Sequence, residues 1–305
     1  MHLFITGISG FVGGRLAGWL AERGERASGI YVAGRPAPPS ADCWEVDLLD
    51  RPALAAAIGR AAPDAVLHLG ALSHVGSSWE RMGDYFRVNV LGTENLLEAA
   101  AAAHGAPRVV FASSAEVYGA VGEDELPIAE TRLPAPASPY ALTKAAAERL
   151  ALARGGVVVR SFNLVGAGQA ASFALPSFAR QLAAIERGDS EPVLRVGNLS
   201  ARRDFVHVAD ALAAYRLLAE KGEPGEVYNL ASGEAVSIRG ALDRLMAISG
   251  VEAEIEVDEA RLRPVDVPVL AGDSTRLRSL GWQPEHDLDD ALAELWREAR
   301  DEKAA

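Results

Sequence analysis

Short apolar runs alternate with stretches of helical periodicity through the first half of the chain. The runs HLFIT (2–6), ASGIYVA (27–33), AVLHL (65–69), RVVFAS (108–113) and GVVVRSF (156–162) read as strands. Between them the spacing of apolar positions predicts helices near 11–23, 50–61, 81–103 and 139–154. Strands separated by helices of that length form parallel βαβ units with right-handed crossovers. The strands are apolar throughout, as in a sheet covered on both faces. The pattern predicts an α/β fold: a doubly wound (Rossmann) parallel sheet.

After about residue 165 the rhythm loosens. Helical stretches near 174–187, 207–221, 236–248 and 287–300 are joined by short runs such as PVLRVG and GEVYNLA. The expected organisation is a Rossmann domain over 1–165, with 204–232 returning to it, and a smaller mixed α/β lobe over 166–305. GRPAPPS (34–40) and LPAPASP (133–139) read as loops, because proline is excluded from helix interiors and central strands.

The 305 residues suffice for a full core, and a formal charge of −12 argues against nucleic acid, which needs a basic footprint. An anionic ligand must therefore be met by local arginines. The only cysteine, Cys43, leaves no intrachain disulfide and no cysteine-based zinc site, which fits a cytoplasmic location. MHLFITG enters a strand directly, with no sign of a targeting segment, and no apolar run reaches the roughly 18 residues that span a bilayer.

ITGISGFVGGRL sets Gly7, Gly10 and Gly13 in a G-x-x-G-x-x-G spacing between the first strand and its helix, which Phe11 and Val12 open. Glycines there allow a tight turn and a close approach to a pyrophosphate, whose charge the helix N-terminus meets. The second strand offers no acid for a ribose, and Arg35 is the nearest charge. That favours NADPH slightly over NADH. Asp47, with Leu48 after a short third strand, is an acceptor for adenine or an exposed turn residue. Leu69 and Ala71 leave the next strand at the carboxyl edge, where ligands lie in such folds.

Tyr140 and Lys144 in SPYALTK lie one helical turn apart on one face. A lysine beside a phenol favours the phenolate, although a surface pair shows the same spacing. SSAEVYG adds Ser113, Ser114 and Glu116 at the end of the fifth strand. Together with RSFNLVGAGQ, RRDFVHVADALAAY, GEVYNLASG and LGWQP, these motifs resemble the extended short-chain dehydrogenase/reductase family across almost the whole chain. The resemblance implies a catalytic Ser114, a proton-transferring Tyr140, and a Lys144 that binds the nicotinamide ribose and lowers the tyrosine pKa. Ser113 reads as a structural turn residue.

The second half resembles the branch that acts on GDP-mannose derivatives. The resemblance implies NAD(P)H-dependent reduction of the C4 ketone of GDP-4-keto-6-deoxy-D-mannose to GDP-D-rhamnose. A GDP-mannose 4,6-dehydratase, in which Glu116 would be the base at sugar C5, is the main alternative. A 4-epimerase or another sugar-nucleotide reductase, and a non-catalytic nucleotide-binding regulator, are the others. By the same resemblance Arg203 and Arg263 meet the diphosphate, Asn163 bonds near it, Asp266 takes the nucleotide ribose and His74 touches the substrate. Arg202 and Arg261 read as solvated charges, and His68 as a packed core residue. No metal site is expected. The family's habit of pairing through the helices near 81–103 and 139–154 implies a homodimer.

Overall fold

The computed structural model describes residues 1–34, 36–262 and 267–302. The alternating pattern resolves into strands β1 (His2–Thr6), β2 (Arg26–Tyr31), β3 (Asp42–Glu45), β4 (Ala65–His68), β5 (Arg108–Ser114) and β6 (Val157–Ser161). The lobe beyond supplies β7 (Asn163–Val165), β8 (Val193–Val196), β9 (Arg202–Arg203), β10 (Phe205–His207), β11 (Val227–Leu230), β12 (Val236–Ser237), β13 (Glu254–Val257) and β14 (Val269–Leu270). The main, seven-stranded parallel sheet runs β11-β6-β5-β4-β1-β2-β3. Chain order reverses between β1 and β4, the point at which such sheets open a crevice at their carboxyl edge. β2 stops two residues short of the predicted strand because the chain turns through Gly34, whose φ is +82°.

Alternation along β1 assigns its side chains to the two faces. Leu3 and Ile5 pack with Leu16 and Leu20 of α1 (Phe11–Glu22), and with Leu212 and Leu218 from the helix Val208–Lys221. Phe4 packs on the other face with Leu54 and Ile58 of α2 (Arg51–Ala61). Chain order then gives α3 (Met82–Tyr85), α4 (Gly92–Ala102), α5 (Pro139–Ala153), α6 (Ala174–Glu186), α7 (Val208–Lys221), α8 (Ile238–Ser249), α9 (Thr275–Ser279) and α10 (Leu288–Asp301). The second lobe has its own core, where Leu182 of α6, Leu245 of α8 and Leu292 of α10 converge.

The helix predicted over 81–103 is interrupted. Phe86–Leu91, between α3 and α4, winds as a π-helix. Its buried residue is Asn89, whose amide donates to the Leu72 carbonyl (3.0 Å) and to Thr143 Oγ1 (3.1 Å), and accepts from the Leu72 amide (2.8 Å). The wider turn lets one polar side chain satisfy the loop after β4 while its neighbours keep helical bonding. Asn89→Ala strands the Leu72 amide and carbonyl in a buried setting, so it should destabilise folding by about 1–3 kcal/mol, read from urea unfolding. A midpoint equal to that of the native chain would contradict this role.

Candidate functional site

Parallel strands deliver all their carboxyl ends to one edge. Thr6 pairs with His68, His68 with Phe111, and Ser114 with Ser161, so the segments that follow β1, β4, β5 and β6 emerge together. The segment after β1 is the glycine loop. Gly7 has φ +68°, and a Cβ there would meet Gly70 Cα at 3.0 Å. A Cβ on Gly13 would lie 2.5 Å from the Gly7 carbonyl oxygen and 2.8 Å from Ile8 Cα, both rigid backbone. Gly10 starts α1 with no side-chain cap, which leaves the amides of Phe11, Val12 and Gly13 to something outside the chain. This cradle fits a dinucleotide pyrophosphate.

The neighbouring candidates have mixed placements. Leu69 and Ala71 flank Gly70, whose amide donates to Thr6 Oγ1 (2.9 Å). Leu48 is buried against Gly70 and Gly92, and its carbonyl accepts from Asn95 (3.0 Å). Asp47 is an exposed turn residue whose carboxylate accepts from the Leu49 amide (2.9 Å). Arg35, Arg263 and Asp266 lie outside the described residues.

Helix α5 begins where the sequence says it should. Ser138 accepts from the Ala141 amide (3.1 Å) as N-cap, and Pro139 opens the helix. Tyr140 is 8% exposed and Lys144 4%, so this is a buried pair and not a surface one. Ser114 caps the turn Ala115–Tyr118, accepting from the Glu116 amide (3.2 Å), and shares a side-chain hydrogen bond with Tyr140. Glu116, half-buried on that turn, acts on Tyr140 electrostatically. Four candidates therefore converge. Ser113 points away from them, donating to Glu148 (2.8 Å) in the core.

The electrostatics correct one expectation. Burial pushes the Tyr140 phenol well above its usual range, and the Glu116 charge adds to this against the Ser114 hydrogen bond. Burial also pulls the Lys144 ammonium down to about 7, against the attraction of Glu148. Two desolvated groups thus each favour their neutral form, and Tyr140 is a protonated phenol at neutral pH instead of an acidified one. His68 is neutral for the same reason, its pKa lowered to about 3, and it bridges Thr6 (2.6 Å) and Thr93 (2.9 Å).

A cavity of about 850 Å³ opens between the loop after β4 and the second lobe. Of the predicted substrate residues, His74, Asn163 and Arg203 line it; Tyr140, Ser114 and Glu116 do not. Tyr85 joins the two groups. Its hydroxyl donates to the His74 carbonyl (2.6 Å), and its ring meets Tyr140 edge-on, centroids 6.4 Å apart. Arg203 is held on β9, and the adjacent Asp204, fully buried, accepts from Ser232, Gly233 and Gly272. Arg202 pairs with Glu123 at the surface, and Arg261, as expected, is an exposed charge, paired with Asp258 (3.2 Å); it also lies at the cavity wall and reaches Ser177 (3.3 Å). Tyr85 and Asn89 carry no local signal, because each acquires its place through contacts distant in sequence. Among the described residues no cluster of His, Cys, Asp or Glu is set to hold a metal ion, and no helix is long and apolar enough to cross a membrane.

Comparison with known proteins agrees with this geometry. The profile of the family described as GDP-mannose 4,6 dehydratase matches residues 4–295. The GDP-6-deoxy-D-mannose reductase of Pseudomonas aeruginosa is 38% identical over 298 residues, 95% of this chain and 94% of that one. The solved structure of RMD from Pseudomonas aeruginosa complexed with NADPH superposes with a TM-score of 0.87 at 36% identity, covering 98% of both chains. The Thermus thermophilus UDP-glucose 4-epimerase complexed with NAD gives 0.88 at 28%, covering 99% of both. With its glycine cradle, its Ser114–Tyr140–Lys144 group and a match that runs nearly end to end, the chain belongs to the GDP-mannose 4,6 dehydratase family of extended short-chain dehydrogenases/reductases.

Proposed function

We propose that this protein reduces the C4 ketone of GDP-4-keto-6-deoxy-D-mannose to GDP-D-rhamnose, with NADPH or NADH. The observation that carries the reading is the buried Tyr140, set beside Ser114 and one turn from Lys144 at the edge where the glycine cradle opens. The 38% identity to a GDP-6-deoxy-D-mannose reductase supports the substrate, and the NADPH in a 36% identical structure supports the coenzyme. In this reading residues 1–165 with 204–232 hold the coenzyme, and the rest of 166–305 holds the sugar nucleotide. The position of β11 beside β6 supports that division.

When bound, the nicotinamide coenzyme supplies the hydride that adds to C4. The amides of Phe11, Val12 and Gly13 would hold its pyrophosphate, Lys144 its ribose, and Arg35 the extra phosphate of NADPH. Ser114 donates a hydrogen bond to the ketone oxygen and draws charge onto it. Tyr140 then gives that oxygen its proton. A protonated phenol suits this direction, because it carries the proton that the developing alkoxide, a stronger base, takes up. The oxygen gains one proton and the carbon one hydride, completing the alcohol.

His74, Asn163 and Arg203 in the cavity suit the sugar and its diphosphate, joined by Arg261 and, by resemblance, Arg263 and Asp266. Arginine's planar fork matches phosphate in a protein of charge −12. Glu116 bonds sugar hydroxyls in this reading. Its half-buried place beside Tyr140 also favours the second reading, a 4,6-dehydratase in which that carboxylate takes the C5 proton.

A homodimer and a cytoplasmic location belong to the same proposal. Met82, Phe86 and Leu91 on the helix before α4, with Leu142 on α5, expose apolar surface of the kind that a second copy covers. Phe86→Asp with Leu142→Asp should shift the mass in light scattering from dimer to monomer; a native chain that is monomeric at tens of micromolar removes the dimer.

Supplied with GDP-4-keto-6-deoxymannose, the protein should oxidise NADPH mole for mole. GDP-mannose alone converted to a keto-sugar, with no net coenzyme use, would replace the reductase by the dehydratase. Tyr140→Phe should lower turnover by about 10²–10⁴-fold while NADPH still binds. Near-native turnover would remove Tyr140 from the proton step.

A further inference from the structure

Helix α5 carries three titratable side chains at steps of four, Tyr140, Lys144 and Glu148, all on one face. The chemistry above uses the first two. Glu148 is 1% exposed, and its carboxylate accepts from Ser113 Oγ at 2.8 Å and from Arg160 at 3.2 Å (Nε) and 2.5 Å (Nη2). Ser113 and Arg160 are register partners on β5 and β6, and Ser113 immediately precedes Ser114. Arg160 spends its remaining reach on the carbonyls of Glu130 (3.2 Å) and Arg132 (3.4 Å), with Tyr118 beneath it. The carboxylate is thereby fixed by three hydrogen bonds from two side chains.

Lys144 sits in the same interior with its Nζ 4.5 Å above the Phe111 ring of β5. The groups that face this region from other elements do not anchor a cation. His68 on β4 is neutral, Tyr140 and Tyr85 are phenols, and Arg160 on β6 is itself positive. Glu116, on the turn after β5, acts on Tyr140 at the far end of the helix face. Glu148 is the charge that opposes the desolvation of Lys144.

We propose that Glu148 is a positioning residue of the site: its carboxylate, one helical turn from Lys144, opposes the loss of the lysine charge and pins the helix face bearing Tyr140 to the strand residue before Ser114. The inference rests on the reading of Tyr140 and Lys144 as the reacting pair, but its decisive test does not use the substrate.

Lys144, Lys221 and Lys303 are the chain's lysines, so protein grown on lysine carrying ¹³C at Cε gives few signals, and Lys144→Arg assigns the one of interest. In the native protein that signal should titrate near 7. In Glu148→Gln the midpoint should fall by roughly one to three pH units. Because that change leaves Arg160 buried without its counter-charge, Glu148→Gln with Arg160→Met is measured beside it, which removes both charges together. The double variant should show a fall in the same direction, made smaller by the loss of the Arg160 cation, and Glu148→Asp should bring the midpoint back toward the native one. The alkaline limb of the pH–rate profile for ketone reduction should move down with the midpoint. A folded double variant whose Lys144 titrates as in the native protein would overturn the proposal, leaving Glu148 a structural tie alone. A lowered midpoint in a protein that does not reduce the keto-sugar would support the role of Glu148 and refute the reductase instead.

Discussion

Desolvation at the start of α5 governs the rest of this structure. A phenol and an ammonium, each nearly withdrawn from water, are held one helical turn apart at the edge of a parallel sheet. Moving the lysine pKa from its ordinary 10.5 to about 7 corresponds to about 5 kcal/mol in favour of the neutral amine. That shift is what remains after the Glu148 charge, held in the Ser113–Glu148–Arg160 knot, has opposed burial. The polar interior beneath α5 is thus part of the site's electrostatics as well as of the packing.

The fold brings this about through chain direction. All strands of the main sheet point the same way, so the glycine loop, the exit of β4, Ser114 and the exit of β6 share an edge. The second lobe then stands over that edge and closes a cavity lined from both sides, by His74 on one and by Arg203 and Arg261 on the other. Tyr85 ties the cavity wall to the catalytic phenol through one hydrogen bond and one ring contact. A change in the His74 loop therefore has a direct mechanical route to Tyr140.

Local signals made much of this legible. Ser138-Pro139 announces the start of α5, and the three glycines mark a loop in which Gly13 has no space for a side chain. Short apolar runs and period-3.6 patterns placed the strands and helices of the first half within a residue or two. What stayed hidden depends on partners far apart in sequence. Asn89 looks like a stray polar residue in FRVNVLGT until the loop at Leu72 arrives to meet it, and it reshapes its helix in doing so. Arg261 is the surface charge it looks like, and only the approach of Ser177 on α6 sets it at the cavity wall as well. The direction of the Tyr140 shift was misread because a four-residue spacing reports the neighbour's charge and says nothing of how little water remains.

One geometry remains at the centre: Tyr140, as an intact phenol, must reach the oxygen that becomes the new hydroxyl. The direct measurement is a crystal structure of the protein with the oxidised coenzyme and the GDP-deoxysugar product. The account predicts the Tyr140 hydroxyl about 2.6–3.2 Å from the sugar O4, with Ser114 on the same oxygen and Lys144 against the nicotinamide ribose. A sugar whose O4 lies beyond reach of Tyr140, with C5 presented to Glu116 instead, would contradict it.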